Sequence, residues 1–328
     1  MPQAALAELL AAAELRAPQA PRITGADPVV ATRYRVGTAG AAALAALGVA
    51  VSRYGELRGL PSQSVAVDLR AAALSLRSAR YLRINAEPLP PVWDPLSGFY
   101  PVRDGWVSIH CNFPNHRDAA LTVLRAPAER KAAEEKAGDW TGVALEEAIH
   151  AGGGCAGFVR SADAWHAHAQ SRAVAQEPLL AIERIGDAPP ERPPRAARPL
   201  AGVRVLDLTR VLAGPTCAKS LAEHGADVLK ISAEHLPDSG LVEMDTGIGK
   251  LSARLDLRTP QGVQSLRELV KSADVFSQSY RPGALAARGF SPRRWRRCAP
   301  ASSASRSRPG ARPVPGVRGA ASTASCKR

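Results

Sequence analysis

PLAGVRVLDLTRVLAGPTCAKSLAEHGADVLKIS (199–232), followed by GKLSARLDLRTPQG (249–262) and ADVFSQSYRPGALAARGF (273–290), decides the fold. VRVLDL (203–208) is an almost unbroken apolar run, the pattern of a parallel strand covered on both faces. A helix is expected from about Pro215 to His224, then ADVLKIS (226–232) as a second strand. TPQGVQSLRELVKSAD (259–274) reads as a helix, with Thr259 able to cap it and Pro260 at the first helical position. ADVFSQS (273–279) closes the series as a third strand. Strand–helix–strand–helix–strand with short turns predicts a doubly wound α/β sheet, whose ligands sit at the carboxyl ends of the strands.

Working outward, residues 187–199 are a Pro-rich linker with mixed charge, a composition that runs extended and builds no core. Before it, residues 29–186 alternate strands and helices, a smaller α/β segment. Gly40–Tyr54 is a small-residue helix, SVAVDL (64–69) a strand and RAAALSLRSARYL (70–82) a second helix. GWVSIHC, CAGFVR and LLAIERIG (179–186) read as strands, with helices around 115–125, 128–137, 142–151 and 161–170. Residues 1–28 are an Ala/Leu-rich surface helix and leader, with Glu8 and Glu14 ahead of any basic residue, which argues against a secretory signal.

Composition narrows the function classes. Apolar content of 45% and charged content of 22% fit a globular protein, and no run approaches 18 consecutive apolar residues, so no membrane span is expected. The net charge is +13, but residues 291–328 carry nine Arg, one Lys and no acid, leaving only +3 for the rest. A polyanion-binding surface is basic across a folded face, so nucleic acid is not expected as a partner. Cys111, Cys155, Cys217, Cys298 and Cys326 are scattered without a C-x-x-C pair, which suits a reducing cytoplasm.

Three local motifs read as ordinary structure. GGGCAG (152–157) follows a helix and precedes a strand, the reverse of a phosphate-cradling order, so a helix C-cap is expected. GIGKLS (247–252) lacks the first glycine of a P-loop and has no Ser or Thr directly after Lys250. His110, Cys111 and His116 lack the second ligand pair of a structural zinc site, so no metal is assigned. The strand ends are more informative. Thr209, Arg210, Leu212 and Ala213 follow the first strand, and Ser279, Tyr280 and Arg281 follow the third. A helix N-terminus with two Arg and a ring suits an adenine-phosphate ligand; the same residues would equally serve as a solvated loop.

The series PLAGVRVLDLTRVLAGP, GADVLKI, GKLSARLDLRTPQG and ADVFSQSYRPGALAARGF resembles the N-terminal part of the family III CoA-transferases, the CaiB/BaiF family, over about 90 residues in matching order. The family includes formyl-CoA and carnitine-CoA transferases and methylacyl-CoA racemases. GTAGAAALAALGVAVSRYGELRGLPSQSVAVDLRAAALSL (37–76) and WDPLSGFYPVRDGWVSIHCNFPNH (93–116) are similar to a later part of that family. The chain therefore reads as the back half of one family unit joined to the front half of another. The resemblance implies a Rossmann-like, CoA-binding segment at 200–291. It gives Arg210, Leu212, Ala213, Ser279, Tyr280 and Arg281 contacts with CoA and sets Lys250 beside the nucleotide. Ala233 stands where an Arg is usual, and Ser279 where Asn is commoner.

Family transferases carry an Asp that attacks the acyl-CoA thioester and forms enzyme-bound intermediates. That Asp lies within about one turn of the small-residue helix. Here Val36, Gly37 and Thr38 stand there and Asp27 is some ten residues early, so no catalytic residue is assigned. In the family the sequence after Phe290 continues roughly EALAALRPGIVCVSLS. Written in GC-rich codons and read one base later, EALAALRPGIV becomes RRWRRCAPASS, the sequence at 293–303. The same shift yields SRSR (305–308), and GFDSLV yields AASTASC (320–326). Residues 292–328 are accordingly expected to be a frameshifted, disordered basic tail. The resemblance implies acyl-CoA and a carboxylic acid as partners, a cytoplasmic location and a homodimer. The parent activity would be CoA transfer or acyl-CoA isomerisation; a non-catalytic CoA-binding subunit is the alternative.

Overall fold

The computed structural model describes residues 1–88, 91–184, 194–236 and 240–291, together with the backbone of 303–306. It forms two compact units, one combining Met1–Leu89 with Leu179–Ser307 and the other built on Pro90–Pro178. These units cut across the boundaries read from the sequence, which kept 29–186 together. The physical reason is contact: the first 88 residues bury their apolar side chains on their own helices and on the later sheet segment, not within 91–178.

The first unit opens with α1 (Pro2–Ala12), β1 (Arg22–Thr24), α2 (Val36–Leu57), β2 (Ala66–Asp68) and α3 (Leu69–Ser75). β1 and β2 pair in parallel, Ile23 opposite Val67. In α2 the small residues Gly40, Ala41, Ala45, Val49 and Ser52 are buried, so neighbouring helices approach closely. Leu6 of α1 and Leu69 and Ala72 of α3 pack on that face. By length and composition α2 could cross a membrane, and it is the one such helix among the described residues; here its small-residue face lies against protein. A short hairpin, β3 (Arg83–Ile84) with β4 (Glu87–Pro88), ends the segment.

The second unit is an antiparallel sheet of β5 (Gly98–Val102), β6 (Gly105–Ile109) and β7 (Ala156–Phe158). Alternation puts Tyr100, Val107 and Ile109 inward and leaves Phe99 and Trp106 exposed. Helices α4 (Pro114–Leu124), α5 (Arg130–Ala137) and α6 (Gly142–Ala151) cover the inner face through Leu124, Ala133, Leu145 and Ile149. Gly152 caps the end of α6, as its place in GGGCAG suggested. Two short helices follow, α7 (Ala162–His166) and α8 (Ala169–Ala175), where one had been expected. LLAIERIG does not form the expected strand over its described residues, 179–184: Leu179 and Ile182 are 68% and 74% exposed, and no ladder partner is present to fix their alternation.

The chain then returns to the first unit as β8 (Arg204–Leu208), α9 (Ala213–Glu223), β9 (Asp227–Ser232), α10 (Leu241–Gly247), β10 (Leu251–Arg254), α11 (Pro260–Lys271), β11 (Val275–Gln278) and α12 (Ala284–Ala287). With β12 (Ser303–Arg306) they make one parallel sheet in the order β10-β9-β8-β11-β12. Leu206, Leu208, Ile231 and Phe276 face α11 through Leu266 and Val270, whereas Val205 and Val228 face α9 through Ala218. Thr259 caps α11 by accepting from Gly262 N at 3.1 Å, as its sequence position implied. β10 and α10 went unread in the sequence. The segment LSAR is an edge strand with no buried residue, so it carries no apolar alternation to detect. The expectation of a disordered tail at 292–328 lies outside the described residues, except for the four that run as β12.

Candidate functional site

Strands written in chain order as first to fifth stand 3-2-1-4-5 in the sheet. The order reverses between β8 and β11, and at such a switch point the loops leaving two adjacent parallel strands diverge and open a crevice at their carboxyl ends. The two loops singled out in the sequence leave these two strands. They are joined by Arg210 N, which donates to Ser279 Oγ at 3.1 Å across 69 residues of sequence. Tyr280 N donates to Gln278 Oε1 at 2.9 Å, which folds the second loop back on its strand. Burial pushes the Tyr280 phenol up, against the pull of the Arg210 and Arg288 charges, so this ring remains neutral at physiological pH. Arg281 is exposed, and Leu212 is half-exposed at the start of α9 with Ala213 as the first helical residue. Six of the seven expected site residues therefore share one end of the sheet.

Lys250 differs. Its side chain is 2% exposed, and its ammonium donates to Asp207 Oδ2 at 2.8 Å and to the Pro215 carbonyl at 2.9 Å. It is engaged by both ends of the β8–α9 turn. The other oxygen of Asp207 accepts from Thr209 N at 3.0 Å and from Thr209 Oγ1 at 2.5 Å. Asp207 and Thr209 are fully buried. The turn they hold is strained: Val211, a β-branched residue, has φ +70°. Gly214 is required beside it, since a methyl group there would lie 2.4 Å from Thr209 Cβ. GIGKLS forms the α10–β10 turn, with Lys250 N donating to Gly247 O at 3.1 Å, and leads into a strand with no helix N-terminus to meet a phosphate.

The structure also places a carboxylate that the sequence spacing set aside. Asp27 accepts at Oδ1 from Gly37 N (3.0 Å) and at Oδ2 from Thr38 N (2.7 Å), so it caps α2 from ten residues upstream. Burial pushes its carboxyl up, but the hydrogen bonds from Thr38, Gly37 and Val29 outweigh this and bring it below the ordinary value. Helix caps are sought within three residues of the helix start, which is why this one was missed. In the second unit His110 and His116 sit in a ring cluster with Trp93 and Phe113, centroids 5.5–6.2 Å apart. Among the described residues no group of three or more His, Cys, Asp or Glu could hold a metal ion.

Residues 200–301 match the sequence model of CoA-transferase family III. That likeness covers under a third of the chain. An acetyl-coenzyme A transferase of Hypoxylon pulicicidum is 43% identical over 101 residues, which cover 31% of this chain and 17% of the fungal protein. An acyl-CoA transferase of Gibberella moniliformis is 30% identical over 179 residues, covering 53% of this chain and 30% of the other. A CAIB/BAIF family protein of Brucella suis, known from a crystal structure, is 27% identical with a TM-score of 0.29, covering 33% of each chain. The chain thus spans about a third or less of the length of these relatives.

Proposed function

We propose that the family III segment binds a CoA thioester in the crevice between the β8–α9 and β11–α12 loops. The observation that carries this reading is the Arg210 N to Ser279 Oγ hydrogen bond, which unites the family's two ligand loops at the switch point. Arg210 and Arg281 supply guanidinium groups for phosphate oxygens, Tyr280 a neutral ring, and the first turn of α9 its N-terminal dipole. Lys250, whose ammonium is engaged by Asp207 and the Pro215 carbonyl, is left out of the ligand contacts in this reading. The reaction served is transfer of CoA between an acyl-CoA and a carboxylic acid, in the cytoplasm, with a second copy of the chain as a partner.

A second reading, a CoA-binding subunit without turnover, is favoured by a specific observation. Both oxygens of Asp27 are taken by backbone amides, and no carboxylate stands at Val36, Gly37 or Thr38. Isomerisation of an acyl-CoA is the remaining alternative. Calorimetric titration of acetyl-CoA into the full chain tests binding, and hydroxylamine trapping of an enzyme-bound acyl group tests turnover. Arg281→Met is expected to weaken binding about tenfold by removing one charge-assisted contact. Binding without trapping selects the subunit, binding with trapping selects the transferase, and absence of binding overturns both.

A further inference from the structure

We propose that Lys250 is a positioning residue for the β8–α9 turn, a role that rests on the CoA-binding reading of that turn. Three observations converge on it. First, its ammonium bridges the two ends of the turn: Asp207 on the last part of β8 and the Pro215 carbonyl in the first turn of α9. The residues between them include Arg210, Leu212 and Ala213. Second, the bridge is buried, with side-chain exposures of 2% for Lys250 and 0% for Asp207, so water does not compete for it. Third, the bridged segment holds a conformation it would not adopt alone. Val211 sits at φ +70° and Leu212 at φ −130°, ψ −64°, without a side-chain cap on α9. A β-branched residue in the left-handed region persists only when its surroundings over-determine it.

The division of labour inside the bridge matters. Asp207 fixes the strand side by accepting both donors of Thr209, and Gly214 packs against the Thr209 side chain. Without Lys250 no hydrogen bond in this set reaches the helix side at Pro215, and only the packing of Thr209 on Gly214 remains. The lysine therefore does two separable things: it neutralises a buried carboxylate, and it ties α9 to β8 at the spacing the turn needs. Pre-organisation of this kind strengthens binding by removing the ordering cost from the binding step.

The two roles separate experimentally. Lys250→Met leaves Asp207 buried and unpaired, so a lower melting temperature is expected. Amide exchange over 209–217 should rise on the order of tenfold or more through local opening. In the double variant Asp207→Asn/Lys250→Met no charge is left buried. Its melting temperature is expected to recover, while exchange over 209–217 stays fast and affinity for CoA stays about tenfold weak. Lys250→Arg keeps both donors and restores both readings. A purely structural lysine would show affinity recovering together with stability in the double variant, and that result overturns the proposal. A lysine that contacts phosphate would show Lys250→Met weakening CoA but leaving pantetheine, which lacks the nucleotide, unaffected; that also overturns it. If the unaltered chain does not bind CoA, the functional reading fails by itself, and amide exchange over 209–217 still decides whether Lys250 holds the turn.

Discussion

Asp27 shows how a single carboxylate fixes the entry of a long helix. Its two oxygens take the amides of Gly37 and Thr38, two of the donors that the first turn of α2 leaves without an intrahelical partner. Replacing it with Ala should cost about 1–2 kcal/mol of stability at neutral pH, as loss of a good cap does, with Asn retaining most of it. The pH dependence has a definite sign. The folded-state carboxyl titrates below its ordinary value of 3.8. The stability it contributes is therefore present above that value and is lost as pH falls through the lower folded one. Urea titrations followed by far-ultraviolet circular dichroism should show wild type and Asp27→Ala well apart at pH 7 and converging as pH falls below the ordinary value of 3.8. A gap that persists in acid would mean the variant loses packing and not a charge-assisted cap.

At the scale of elements, the β5–β6–β7 sheet depends on one buried ring. Tyr100 donates from its hydroxyl to the Leu96 carbonyl at 2.6 Å, and the Arg130 guanidinium lies 3.9 Å over its ring. Burial pushes its phenol up to about 12 despite the opposing Arg130 charge, and burial likewise pushes the neighbouring Cys111 thiol up to about 12, with Asp94 adding to it. Both groups are held neutral in the fold, so their contribution is complete below their unfolded-state values near 9 and 10 and drains away as pH rises toward 12. Four of the five tryptophans, Trp93, Trp106, Trp140 and Trp165, lie within this unit, so with Trp295 replaced by Phe tryptophan fluorescence reports it alone. Its denaturant midpoint should fall between pH 8 and pH 11. Tyr100→Phe should lower stability by about 1–2 kcal/mol, because the Leu96 carbonyl loses its partner, and should flatten the alkaline slope. An unchanged slope would assign the alkaline loss to other groups. The elements legible in the sequence were those whose pattern reports burial on both faces: VRVLDL, ADVLKIS and ADVFSQS all became central or adjacent strands. β10 was silent because its residues are exposed or half-buried. LLAIERIG misled because alternation marks a strand only where a neighbour is available to pair with it.

At the scale of the whole chain, the candidate site was legible as two lists of residues but not as one place. Nothing local joins Arg210 to Ser279; their meeting follows from the sheet order 3-2-1-4-5, which puts the first and fourth strands side by side. The join between the early helices and the later sheet was likewise invisible, because it runs through backbone carbonyls of a segment read as a plain linker. Arg58, 4% exposed at the end of α2, donates from Nε to the Pro194 carbonyl and from Nη1 to the Pro199 carbonyl, both at 2.8 Å. Tyr54 lies 5.9 Å beneath its guanidinium and packs on the cluster of Leu200, Val205 and Ala218. Pro194 and Pro199 have no amide hydrogens and so offer acceptors only, which a planar donor fork satisfies two at a time. Arg58→Met should keep most of the apolar stem but strand both carbonyls, at a cost of about 2–3 kcal/mol. Lys, whose compact ammonium cannot span both acceptors, should recover less than half of this. The decisive measurement is limited trypsin digestion at Arg195, which precedes Ala196; the Arg198–Pro199 bond resists trypsin. Cleavage there should accelerate in Arg58→Met before any change in the fluorescence of a Trp295→Phe background, because the clamp belongs to the first unit and the other four tryptophans to the second. Equal protection in both proteins would show that the linker is held by the packing of Leu200 alone.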